Sequence, residues 1–244
     1  MAGPAAPAQK SAAPAPYADP AMMSETGSDF AMRAWAVTSS GMNGFGQAGA
    51  KLWDLRMMGK AIEAQPNCAD CGQKLHILAA VMLSQMAQSE WGTLGKAHYQ
   101  SFPGPRAKWP AINNSGNIVQ ANYFIAKYIN ADDLQRWLAD EKNSVLRDSG
   151  SCEDKLDYIM ALAEAMKRAG GRDFARKGFD ERERVLVRAA VGQLEYMANV
   201  EDKKGSHGYE MYVKALARTF GIDSSAMASF VNNKARAEEY LGRG

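Results

Sequence analysis

The chain is short of cysteine, of long apolar runs and of charge of either sign, and each shortage removes a class of protein. Three cysteines in 244 residues are too few, and odd in number, for a disulfide scaffold. The longest nearly uncharged apolar stretch, KLHILAAVMLSQMAQSEW from Lys74 to Trp91, falls short of the roughly 20 mostly apolar residues that a membrane helix needs. It also carries Lys74, His76, Gln85, Gln88 and Glu90, so no transmembrane segment is expected. With 29 Lys and Arg against 27 Asp and Glu, the formal net charge is +2. That balance lacks the concentrated basic excess with which proteins capture nucleic acid or acidic lipid, and no strong nucleic-acid signal emerges. No period-2 run marks a strand and no unit repeats at a fixed length. A charged start, an apolar core and a small-residue cleavage site are also missing, which makes the cytoplasm the default compartment. An exported or membrane-anchored context would follow if Met1 were not the native start.

What remains reads as helix. Hydrophobic residues make up 46% and charged residues 23%, the composition of a globular protein able to bury a core. Within Lys74–Trp91, Leu75, Leu78, Met82 and Met86 recur at helical spacing, while Ile77, Val81 and the alanines make most of the circumference apolar. A helix of that kind is enclosed by others. Further helices are expected after Ser28 or Asp29 as cap, from about Ala50 to Ala64, from Asn117, from Asp132, from Cys152 to Ala169, from Asp180 to about Val200, from Tyr209 to Phe220, and from Ser224 or Ser225 to Leu241 with Asp223 as cap. The expected fold is all-α, a single domain of about seven to nine helices around the central apolar helix. It would occupy residues 24–244. Residues 1–23, almost all Ala and Pro with scattered polar residues, are expected to be a flexible tail, because such a segment cannot bury enough apolar surface to offset its ordering entropy.

Two irregular stretches interrupt the helices. SSGMNGFGQAG holds Gly41, Gly44, Gly46 and Gly49, but no Lys-Ser/Thr pair closes it and no strand precedes it, so it is read as a joint rather than a phosphate cradle. The second runs from Gly92 to Gly116 and contains Tyr99, Phe102, Arg106 and Trp109. Loops beyond about 12 to 15 residues are usually functional or disordered, and these four residues are the candidate binding surface.

Chemistry-bearing residues concentrate at the start of the apolar helix. Cys68 and Cys71 form a CxxC, His76 follows five residues later, and Cys152 opens another helix. Three thiolates and an imidazole would make a closed tetrahedral zinc site; a disulfide from Cys152 to Cys68 or Cys71 is the competing expectation. Apart from zinc, no cofactor is implied. At the other end of the helix, LSQMAQSEWG resembles the beginning of peptidoglycan-cleaving glucosaminidases and transglycosylases, in which a catalytic Glu closes a helix before a Gly-rich loop. The resemblance covers about ten residues and implies Glu90 as general acid, with the usual Glu-Ser order reversed to Ser89-Glu90. No complete catalytic set accompanies it. The leading expectation is therefore a non-enzymatic interaction or assembly module with protein partners, a subunit or adaptor of a larger bacterial or phage machine for secretion or DNA transfer. A lysozyme-like hydrolase using Glu90 is the alternative.

Overall fold

The computed structural model describes residues 19–39, 45–65, 68–87, 115–138, 152–170 and 178–242. Among them are eleven helices and no strand, in the order α1 (Pro20–Ser24), α2 (Gly27–Ser39), α3 (Phe45–Glu63), α4 (Cys71–Ala87), α5 (Ser115–Tyr128), α6 (Ala131–Leu138), α7 (Cys152–Gly170), α8 (Glu181–Asn199), α9 (His207–Phe220), α10 (Ser224–Asn232) and α11 (Lys234–Leu241). No helix among the described residues is long and apolar enough to cross a membrane.

The helix ends follow from local chemistry. Asp180 starts α8 with a capping box: its side chain accepts from the Glu183 N–H at 2.9 Å, and the Glu183 carboxylate accepts from the Asp180 N–H at 2.6 Å. Two orphan donors of the first turn are thereby satisfied. Gly221 ends α9 in the left-handed conformation, φ 66°, which costs a residue without Cβ nothing. Two places depart from expectation and raise the helix number above nine. The stretch expected to run unbroken from Ser224 to Leu241 is divided at Asn233, whose extended backbone (φ −150°, ψ 93°) ends α10 while its side chain caps α11 through the Arg236 N–H at 3.2 Å. Within the stretch assigned to the tail, Asp19 caps α1 by accepting from the Ala21 N–H at 2.9 Å, and Pro20 takes the first helical position, where a missing N–H costs nothing.

Packing arranges these helices around two enclosed ones rather than one. On α4, Leu78, Ala79, Met82 and Leu83 are fully buried, and the helix lies among α2, α3, α5 and α6. On α7, every residue from Lys155 to Ala163 is buried, and the helix lies among α5, α8 and α9. Helix α5 joins the two groups, because it contacts α3 and α4 as well as α7. Each fully buried Leu or Met contributes roughly 1.5 to 3 kcal/mol by leaving water.

One buried residue of α4 is charged. Lys74 has no accessible surface; its Nζ donates to the Met23 carbonyl at 2.7 Å and lies 5.8 Å from the centroid of the Phe30 ring. The ammonium thus holds the C-terminal part of α1 and sits over the face of a phenyl ring from α2. On the surface, Arg33 of α2 reinforces the same junction through Glu25, at 2.9 Å, and Asp19, at 3.2 Å.

Candidate functional site

The start of α4 collects more chemistry than any other described stretch. Cys68 and Cys71 are joined by a disulfide with α-carbons 5.4 Å apart, and both sulfur-bearing side chains pack half-buried against the core. Asp70 between them takes a left-handed φ of 52°, a conformation Asp tolerates better than most side chains. Its carbonyl accepts from the Lys74 N–H at 3.0 Å, which closes the first turn of the helix. The Gln65 carbonyl lies 3.6 Å from Cys71 Sγ.

One turn further on, His76 Nδ1 is hydrogen-bonded to the backbone carbonyl of Tyr128, the last residue of α5. A carbonyl only accepts, so Nδ1 carries the proton. The Tyr128 hydroxyl in turn donates to Glu63 Oε1 at the end of α3, and Lys127 Nζ donates to the same oxygen at 2.9 Å. The ends of α3 and α5 and the beginning of α4 therefore meet in one polar clasp. Burial works to raise the Glu63 carboxyl, but the hydrogen bonds from Tyr128 and Lys127, with the charges of Lys127 and Lys60, outweigh it and hold the group below its ordinary value. Burial first, and then Glu63, pushes the Tyr128 phenol up, while hydrogen bonding with Tyr128 and Glu63 raises Lys127.

A carboxylate whose folded value is depressed contributes stability above its unfolded value and loses that contribution as pH falls through the folded one. Glu63→Gln is accordingly expected to cost less than about 1 kcal/mol at neutral pH, the scale of a partly exposed ion pair. The difference from the parent should shrink below the ordinary Glu value of 4.5. Urea titrations at neutral and acid pH measure it, and a difference independent of pH would remove Glu63 as the group responsible.

Neither a protein-family model, nor a curated protein, nor a solved structure matches the chain. The candidate sites therefore stand on geometry alone.

That geometry does not assemble the expected zinc site. Cys68 and Cys71 are bonded to each other, and Cys152 is a free, buried thiol. Cys152 opens α7 and donates to the Gln193 carbonyl of α8 at 2.8 Å, while His76 is engaged with the end of α5. The expected disulfide from Cys152 to the CxxC is likewise replaced by the bond within the CxxC. The reason is placement: the first turn of α7 packs against α8, whereas the first turn of α4 faces the ends of α3 and α5. No group of three or more His, Cys, Asp or Glu suited to a metal occurs among the described residues. Desolvation, with the nearby carboxylates of Glu201 and Glu153, pushes the Cys152 thiol up to about 12, so it is neutral and unreactive at physiological pH. Glu90, Tyr99, Phe102, Arg106 and Trp109 lie outside the described residues.

Sequence reasoning missed polar residues in the core. Lys155, Asp157 and Tyr158 of α7, Asn122 of α5, and Ser84 and Gln85 of α4 are each buried. The Tyr212 hydroxyl of α9 donates to Asp157 at 3.1 Å, and the Tyr158 hydroxyl reaches Asn122 Oδ1 at 3.4 Å. Lys155 and Asp157 lie within the helix expected from Cys152 to Ala169, and nothing local distinguishes a charge buried with a partner from one in water. Also missed is the exposure of large apolar side chains on α2 and α3: Met32 is 66% exposed, Trp35 39% and Trp53 40%.

Proposed function

We propose that the chain is a non-enzymatic protein-interaction or assembly module, a single helical domain that serves as subunit or adaptor in a larger machine. One observation carries this reading. Met32 and Trp35 stand one turn apart on α2, Trp53 stands on α3, and the two helices pack on each other. Lys51 Nζ bridges them by donating to the Thr38 carbonyl at 2.6 Å, and the Arg56 guanidinium lies 5.1 Å from the Trp53 ring centroid. Trp, Met and Arg are the residue types over-represented at protein interfaces, and Trp and Arg dominate their binding energy. A bacterial or phage secretion or DNA-transfer machine is the proposed setting.

A photo-crosslinking amino acid placed at Met32, in cells that make the protein, is expected to give a discrete adduct with a protein partner. Trp53→Ala should weaken the complex thus identified by about 2 kcal/mol, roughly 30-fold in affinity. Absence of any adduct, or a partner whose binding ignores Trp53, would remove this surface as the interface.

A further inference from the structure

We propose that the Cys68–Cys71 pair is a site of reversible thiol–disulfide exchange that accepts electrons from a dithiol donor. This goes beyond the interaction module and does not depend on it. The bond closes a loop of two intervening residues, and a loop so short restricts the unfolded chain least, so the pair is poorly suited to act as a staple. Chain constraint at this end comes instead from the clasp of His76, Tyr128, Glu63 and Lys127, which contains neither sulfur. Both cysteines sit beside exposed residues, Ala69 and Asp70, within reach of a reagent. The third cysteine is buried on α7 and takes no part in the cluster, so electrons entering the pair have no third thiol to pass to.

The geometry also provides for the reduced form. Cys71 is the first residue of α4, where the unpaired N–H groups and the positive end of the helix favour a thiolate. When protonated, its thiol has the Gln65 carbonyl 3.6 Å away as acceptor. The better leaving group departs faster in exchange, which sets the direction of attack. A donor thiolate attacks Cys68 Sγ and forms a mixed disulfide; the Cys68–Cys71 bond breaks with its electron pair on Cys71 Sγ, which takes a proton from water. The donor's second thiol, deprotonated, then attacks the donor sulfur of the mixed disulfide. Cys68 leaves as a thiolate and is protonated in its turn. The pair has gained two electrons and two protons, and the donor has become a disulfide.

The test uses the folded full-length chain with dithiothreitol as donor, a maleimide to count thiols by mass, and circular dichroism to follow the helices. Two thiols are expected to become reactive in the native protein with the helical signal retained, and Cys152 only after denaturation. Oxidised dithiothreitol should return the pair to the bonded form. In Cys71→Ser, oxidised glutathione should give one mixed disulfide, at Cys68. A bond that resists dithiothreitol until the protein is denatured would overturn the proposal, as would a pair that cannot be reoxidised. Loss of the helical signal on reduction would make the bond a structural staple and overturn it too. The double variant Cys68→Ser/Cys71→Ser gives an independent check, since it should fold with the same helical signal.

Discussion

Met82→Asp is expected to abolish the native state. Met82 is fully buried on α4 between the helices that enclose it. Truncating such a side chain to Ala already costs about 2 to 5 kcal/mol, and a carboxylate forced into the same apolar space adds its own desolvation cost. Together these reach the 5 to 15 kcal/mol, roughly, that hold a domain folded. Met82→Leu keeps volume and polarity and should lose less than about 1.5 kcal/mol. Circular dichroism and urea titration of the two variants measure the contrast. A Met82→Asp protein with a cooperative transition near the parent's would show that α4 is not enclosed in solution.

The second large effect is steric. Gly59 of α3 is buried, and a Cβ built on it would stand 2.3 Å from Phe124 Cε2 and 2.5 Å from its Cζ. The phenyl ring of α5 fills the space a side chain would need, and glycine is what lets the two helices approach. Gly59→Val should therefore destabilise by about 1 to 3 kcal/mol through overpacking, despite removing a residue that disfavours helix. Phe124→Leu in the same chain should recover part of the loss, so that the two substitutions are not additive. Additive losses would mean that the ring does not occupy that space.

How much of this was legible depended on the range over which each feature is determined. Asp223 could be assigned as a cap and Asp180 as a helix start from sequence because a helix end is a matter of one turn, and the structure has each as an N-cap. Leu75, Leu78 and Met82 are buried as their spacing implies. The prominence given to α4 was only half the architecture. Its apolar circumference announces enclosure, whereas α7 is enclosed with Lys155 and Asp157 inside, and periodicity cannot register a buried charge whose partner, such as Tyr212, lies 55 residues away. The same holds at the candidate site. CxxC is visible in any sequence, but the clasp beside it is built from Glu63, His76, Lys127 and Tyr128, which only the packing of α3, α4 and α5 brings together. The break at Asn233 did have a local signal, two consecutive asparagines inside an otherwise helical pattern, and Asn is a preferred helix cap.

Lys74 bears on where the folded unit begins. Its ammonium is sealed from solvent and donates to the backbone oxygen of Met23. A chain shortened to start at Gly27 would keep the lysine and the Phe30 ring while deleting that acceptor, leaving a cation in the interior against a phenyl face. Such a charge must then draw in water or find another carbonyl, and either outcome disturbs the first turn of α4. A chain cut at Gly27 is therefore expected to be less stable than one that keeps Asp19 and α1, because only the longer one keeps the Met23 oxygen for Lys74.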